Sequence, residues 1–163
     1  MQMLAAKLLY TEAAHLDAQR WDEWLAMYME DCEFWVPAWQ SEHTYTVDPS
    51  RELSLIYYSS RSGLEDRVWR VRSGKSPASV PLPRTQHMIT NILPDEKSDI
   101  DSVLHVRSEW VTRQYSTKHR STDVLYGRYE HEFVLHQGAW RIARKKVMLL
   151  NDTMPAMVDY YGL

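Results

Sequence analysis

Several residue types are scarce in this chain, and each shortage removes a class of function. A single cysteine, Cys32, among 163 residues excludes an internal disulfide and any four-cysteine metal or iron–sulfur site. Only five glycines are present, and neither GxGxxG nor GxxxxGK(S/T) occurs, so glycine-rich phosphate loops are not expected. No apolar run reaches the roughly 18 residues of a membrane span, and the N-terminus lacks the hydrophobic core of a signal peptide. We therefore expect a cytoplasmic protein.

Charge and length bound the class of protein further. The formal net charge is -3 and the pI is near 6.2, which argues against non-specific binding to nucleic acid or to an anionic membrane. A chain of 163 residues predicts a single domain over residues 1–163. The basic run in the last predicted strand is interpreted as a charged face that meets carboxylates of a partner; it consists of Arg141, Arg144, Lys145 and Lys146.

The aromatic residues are biased toward rings with a polar tip. Ten tyrosines and seven tryptophans occur with only two phenylalanines. Tyrosine and tryptophan are enriched at protein–protein interfaces, where one end of the ring is dry and the other donates a hydrogen bond. The set as a whole favours an obligate oligomer, although any single ring can equally fill a small core.

The first forty residues predict two helices that lead into a strand. Residues 3–16 carry leucines at helical spacing and no glycine or proline. A second apolar helical stripe follows, formed by Trp21, Trp24, Leu25 and Tyr28. Residues 32–35 are short, aromatic and β-permissive, and Pro37 closes them because proline cannot donate to a sheet ladder. Asp31 is expected to end the second helical region.

The remainder of the chain is predicted to be mostly strand. Residues 53–58 form a short apolar strand, residues 63–74 a helix that ends at Gly74, and residues 75–83 an extended proline-containing linker. Four long strands follow at residues 84–93, 102–115, 122–136 and 139–150, the last two joined by a two-residue turn. Helices followed by four long strands predict an α+β fold with a strongly curved antiparallel sheet. The last strand is apolar on both faces and should be covered on both sides.

Four segments together resemble the small (β) subunit of aromatic-ring-hydroxylating dioxygenases. They are WDEWLAMYMEDCEFWVPAW, ELSLIYYSSRSGLEDRVWRVRSG, PRTQHMITNI and KKVMLLNDTMPAMVDYYGL, and they span nearly the whole chain. The segment LIYYSSRSGLEDRVWR and the C-terminal tail are most similar to the benzoate, toluate and anthranilate branch. The resemblance implies a cone-shaped, cystatin-like (nuclear-transport-factor-like) α+β fold with N-terminal helices packed on the sheet.

The resemblance also implies a partner. Such subunits assemble, commonly as α3β3, with a large subunit that holds a Rieske [2Fe–2S] cluster and a mononuclear iron. A separate reductase passes electrons from NADH, and both atoms of dioxygen enter an aromatic ring. The substrate would be an aromatic acid, and this chain would serve assembly, with no catalytic, cofactor-binding or metal-binding residues of its own.

The residues themselves agree with a non-catalytic role. A Rieske centre needs two cysteines and two histidines, and a facial iron triad needs two histidines and a carboxylate. The seven histidines form no HxxxH or HExxH pair; they are His15, His43, His87, His105, His119, His131 and His136. The alternative is a stand-alone dehydratase or isomerase that works inside the cone, with His87 and Asp31 as an acid–base pair and Tyr10 or Asn91 nearby. His87 and Asn91 are expected on one strand face.

Overall fold

The computed structural model describes residues 1–74, 80–153 and 158–163. Within these ranges the helices are α1 (Gln2–Asp17), α2 (Trp21–Leu25) and α3 (Arg61–Arg72). The strands are β1 (Tyr28–Pro37), β2 (Ser54–Tyr58), β3 (Arg84–Pro94), β4 (Val103–Ser116), β5 (Ser121–His136) and β6 (Ala139–Leu149). A short 3₁₀ helix, Tyr160–Gly162, lies in the C-terminal tail.

The strands of the described residues form one curved sheet in the order β2-β1-β6-β5-β4-β3. Neighbouring strands are antiparallel except β1 and β6, which pair in parallel. The turn between β5 and β6 uses Gln137 and Gly138 at φ 50° and 77°, the left-handed conformation of a tight two-residue hairpin. The predicted α+β fold with a mainly antiparallel sheet is confirmed.

The helices and the tail cover one face of the sheet, which we call the inner face. Along β4 and β5 every second side chain is buried, as the two-residue period of a strand requires. Helix α1 contributes Leu9 and Leu16 to this core, and α3 contributes the predicted set Leu64, Val68 and Val71. The opposite, outer face carries alternating charged and apolar side chains. No helix within the described ranges is both long and apolar enough to cross a bilayer.

The junction between the second helix and the first strand differs from the sequence prediction. Helix α2 ends at Leu25, and Tyr28 already belongs to β1, so Tyr28 is not the last member of a helical stripe. Asp31 lies within β1 and is exposed, and it therefore ends no helix. A register shift between Tyr28 and Glu33 marks this part of β1 as irregular. The aromatic residues bury equally well in either conformation, and this is why their spacing misled the prediction.

The other boundaries agree with prediction to within two residues. Gly74 follows α3 at φ 64°, where a glycine is favoured after a helix. Residues 75–79 of the predicted linker lie outside the described residues, as do residues 154–157 of the tail. Val147 and Leu149 are buried on the inner side of β6, and the tail reaches this strand through the hydrogen bond from Lys145 to the carbonyl of Leu163. On the outer side Met148 stays half-buried, so within the described residues the predicted double cover is incomplete.

Candidate functional site

The inner face holds a buried charged cluster centred on Glu12. Its Oε1 accepts hydrogen bonds from the Lys145 ammonium (2.9 Å) and the Tyr28 hydroxyl (2.6 Å). Its Oε2 lies 3.1 Å from Nε2 of His131, which must donate because a carboxylate only accepts. The side chains of Glu12, Lys145 and His131 are 3%, 1% and 0% exposed. The indole of Trp24 adds a long fourth contact at 3.4 Å.

A β-bulge places Lys145 inside the cone. On β6, Ile142 pairs with Phe133 and Arg144 with Glu132, so Ala143 is an extra residue without a partner. The extra residue shifts the alternation, and both Ile142 and Lys145 point inward. The Lys145 ammonium also lies 4.5 Å from the centre of the Tyr129 ring, a favourable cation–π distance.

Electrostatics inside the cluster favour a charged Glu12 beside a neutral His131. Burial alone would raise the pKa of Glu12, but the Lys145 ammonium and the hydrogen bond from His131 hold that pKa far below its ordinary value. Burial lowers the pKa of His131 and outweighs the hydrogen bond and the charge of Glu12, which raise it; the Lys145 ammonium adds a smaller lowering. Both oxygens of Glu12 are engaged within the protein. The cluster therefore ties α1 to β1, β5 and β6.

His87 forms a separate pair with Asp17, not with Asp31. Asp17 ends α1 and accepts three hydrogen bonds, from His87 Nδ1 (2.6 Å), from the His87 backbone N–H (2.9 Å) and from Thr85 Oγ1 (3.0 Å). Burial opposes ionisation of Asp17, but the hydrogen bonds from His87 outweigh it and lower the pKa of Asp17. Among the described residues, the buried Nε2 of His87 has no hydrogen-bond partner. The pair resembles the orienting half of a catalytic dyad.

The other members of the alternative acid–base site lie elsewhere. Tyr10 is on the outer side of α1 with 53% of its surface exposed, and Asp31 is exposed on β1. Asn91 does not share a face with His87, because β3 shifts register between Thr90 and Leu93 and turns Asn91 outward. The structure therefore does not bring Tyr10, Asp31, His87 and Asn91 together.

The last residues of the tail are buried against the helices. Tyr160 stacks on Trp24 with ring centres 4.9 Å apart and meets Trp21 edge-on at 5.4 Å. The carbonyl of Leu163 accepts a hydrogen bond from Lys145 at 3.3 Å. Asp159, 5% exposed, receives two hydrogen bonds from the Arg67 guanidinium of α3. The end of the tail is thus buried against α2 and α3 and reaches the Glu12 cluster through Lys145.

The basic run of β6 is not one exposed face. Lys145 is buried on Glu12, whereas Arg144 pairs with Glu33 at 2.7 Å on the outer face. Lys146 lies over the Trp35 ring, 4.7 Å from its centre, and Arg141 bonds the carbonyl of Ala26. The prediction that all four cations contact carboxylates of a partner is wrong for Lys145, because the bulge turns its side chain inward.

The aromatic bias serves the core more than the surface. Trp21, Trp24, Trp35 and Trp110 are at most 6% exposed, and Trp69 on α3 is exposed by 57%. Tyrosines account for more of the exposed rings, namely Tyr10, Tyr57, Tyr115 and Tyr126. These four buried tryptophans are therefore not available to the expected interface. The interface itself stays a prediction.

The residues present do not fit an iron centre. Cys32 is buried on the inner side of β1, and burial raises its pKa to about 11, which disfavours the thiolate that a metal needs. Across residues 1–74, 80–153 and 158–163, no three His, Cys, Asp or Glu side chains are grouped so as to hold a metal ion.

The fold defines a cone-shaped α+β protein with a buried polar cluster on the inner face of its sheet. The family described as the ring hydroxylating beta subunit matches residues 11–156, and the chain belongs to that family. It is 36% identical over 161 residues to the small subunit of anthranilate 1,2-dioxygenase from Acinetobacter baylyi, covering 99% of this chain and 96% of that protein. It is 39% identical over 153 residues to the β subunit of toluate 1,2-dioxygenase from Pseudomonas putida, covering 94% and 92%.

A solved structure agrees with both relatives. The crystal structure of the β subunit of benzoate 1,2-dioxygenase from Burkholderia mallei superposes with a TM-score of 0.78 at 35% identity. The match covers 97% of this chain and 94% of that one. The protein is therefore a small (β) subunit of the aromatic-ring-hydroxylating dioxygenase family, and it is similar to the small subunits of the benzoate, toluate and anthranilate dioxygenases.

Sequence reasoning did not identify Glu12 or Asp17, and it named Lys145 and His131 without the buried contacts that they make. One signal for Glu12 was available, because a carboxylate stands on the helical face that also carries Leu9 and Leu16. A carboxylate in an apolar stripe predicts a buried cation beside it, because a buried charge is costly unless it is paired. The sequence offered no comparable signal for the pairing of Asp17 with His87, which are 70 residues apart.

Proposed function

We propose that this chain is the non-catalytic assembly subunit of a dioxygenase that acts on an aromatic acid such as benzoate or anthranilate. The Rieske cluster and the mononuclear iron belong to the large subunit, commonly in an α3β3 complex, and a reductase supplies electrons from NADH. Both atoms of dioxygen enter the ring of the substrate. The observation that carries the proposal is similarity over almost the full length to relatives named for dioxygenases of aromatic acids.

The packed cone supports a non-catalytic role. Both oxygens of Glu12 are bound by Lys145, Tyr28 and His131, and Lys145 also bonds the carbonyl of Leu163. A general base must lie within hydrogen-bond reach of the proton that it removes, whereas the carboxylate of Glu12 already accepts hydrogen bonds at both of its oxygens. The alternative dehydratase or isomerase loses three of its four residues, since Tyr10, Asp31 and Asn91 face outward. Only His87 remains, and it pairs with Asp17.

Co-purification with the large subunit tests the proposal. We expect a stable complex that buries on the order of 2,000 Å² or more in total, in which iron and the Rieske absorption spectrum follow the large subunit. Size-exclusion chromatography and metal analysis of the chain alone, of the partner and of the mixture measure this. A chain that carries stoichiometric iron by itself, or that never associates with the large subunit, would contradict the proposal.

A further inference from the structure

The outer face of the sheet holds a cleft that the proposed function does not use. Its volume is about 480 Å³, and it lies across β3, β4, β5 and β6. The side chains that matter here are two guanidiniums, Arg107 and Arg128, beside the apolar Leu93 and Met148. Glu109 and Glu130 also line the cleft, so its formal charges balance.

Asn91 binds one of these carboxylates, that of Glu109, and holds it away from the two guanidiniums. It sits at φ 49° in the bulge between Thr90 and Leu93, a conformation that costs energy for a residue other than glycine. From there its amide donates to Glu109 Oε2 at 2.6 Å. Glu109 stands directly opposite Arg128 in the strand register, yet it bonds to Asn91. The bulge therefore holds Glu109 on the β3 side of the cleft.

The two guanidiniums are left without ion-pair partners. Arg107 stands opposite Glu130, but the described part of the chain places no carboxylate within 4.0 Å of a nitrogen of Arg107 or Arg128. Asp95, which lies near Arg107, is engaged by the backbone N–H of Lys97. Arginine beside apolar surface favours a planar carboxylate bound through two hydrogen bonds.

We propose that this cleft receives a carboxylate side chain, Asp or Glu, of the large subunit. The inference rests on the proposed function, because it names the surface through which the small subunit assembles. The entering carboxylate bonds Arg107 and Arg128, and Leu93, exposed by 57%, packs against the partner's apolar surface. The hydrogen bond from Asn91 prevents Glu109 from pairing with Arg128, so that Arg128 stays available to the partner's carboxylate.

The test measures the affinity of the purified large subunit for four forms of this chain. The doubly substituted Arg107→Glu/Arg128→Glu chain should bind at least about tenfold more weakly than the parent, because a buried carboxylate would meet like charge. Arg113→Glu is the matched control, since Arg113 is exposed on β4 outside the cleft, and it should bind like the parent. Asn91→Gly keeps the positive φ but frees Glu109 to pair with Arg128, and it should give a smaller loss.

Each outcome decides the question. If the parent binds and the double variant binds equally well, or if Arg113→Glu weakens binding as much, the cleft is not the docking site and the proposed function stands. If the parent itself does not bind the large subunit, the proposed function fails and this inference fails with it. Equilibrium dialysis with benzoate gives a separate result. Saturable benzoate binding that is lost in the double variant, with docking unchanged, would assign the cleft to a small acid and overturn the docking proposal.

Discussion

Glu12 lies on the buried side of α1, and its carboxylate contacts side chains from α2, β1, β5 and β6. Lys145 is the cation that compensates it. A buried carboxylate that loses its cation keeps the cost of desolvation without the compensating attraction. Of the residues in the inner cluster, Lys145 should therefore be among the most sensitive to substitution.

Lys145→Met is expected to lower the free energy of unfolding by about 3–5 kcal/mol, because it leaves Glu12 buried and uncompensated. Lys146→Met is the matched control, since the neighbouring lysine faces outward over Trp35 and contributes about 0.5–1 kcal/mol. Urea unfolding of the two purified variants measures both values. Equal costs would show that the cluster contributes nothing beyond an exposed cation–π contact.

The same cluster predicts how stability depends on pH. The pKa of Glu12 is lowered in the folded state from an ordinary value of 4.5, so its contribution is complete above pH 4.5 and is lost as the pH falls toward the folded pKa. The pKa of His131 is lowered from 6.5, so its contribution is likewise present above pH 6.5 and declines below it. Unfolding monitored across this range should show stability falling with acidity. A variant with Glu12→Gln and Lys145→Met together should show a shallower fall below pH 4.5, and an unchanged slope would contradict the assignment.

At the scale of elements, much of the fold could be predicted from the sequence. The four long strands, the helix that ends before Gly74 and the turn at Gln137 and Gly138 follow from local periodicity and turn chemistry. The second helix could not be bounded correctly, because Trp21, Trp24 and Tyr28 fit a helical stripe as well as a helix followed by a strand. The side-chain directions of Lys145 and Asn91 could not be predicted, because both residues lie at β-bulges. One extra residue in a strand reverses the alternation of inward and outward side chains and leaves no local signal in the sequence.

The tail is the element whose attachment can be tested most simply. Arg67→Ala should cost about 2–3 kcal/mol, because Asp159 is 5% exposed and would lose both hydrogen bonds from the guanidinium. Arg70→Ala on the same helix is the control, as Arg70 is exposed, and it should change stability by less than about 0.5 kcal/mol. Thermal unfolding and limited proteolysis of the tail report the difference. Proteolysis as slow as in the parent would show that the ion pair does not hold the tail.

At the scale of the whole molecule, the two faces of the sheet have different surroundings. The inner face packs against the helices and the tail, and the outer face presents charged and exposed apolar side chains to solvent. A fold of this shape does not by itself decide between a subunit and an enzyme. The decision depends on whether the remaining acid–base pair, His87 with Asp17, takes part in chemistry.

Turnover of the reconstituted oxygenase, normalised to assembled complex and to iron content, is the most direct test of the non-catalytic role proposed for this subunit. His87→Ala and the isosteric Asp17→Asn should reduce stability by about 1–3 kcal/mol, because each leaves a buried partner unpaired. Activity per assembled complex should nevertheless stay within a few-fold of the parent. Loss of a general base lowers turnover by about 10²–10⁴-fold. A drop of that size at full assembly and full iron loading would show that this subunit carries catalysis and would contradict the account.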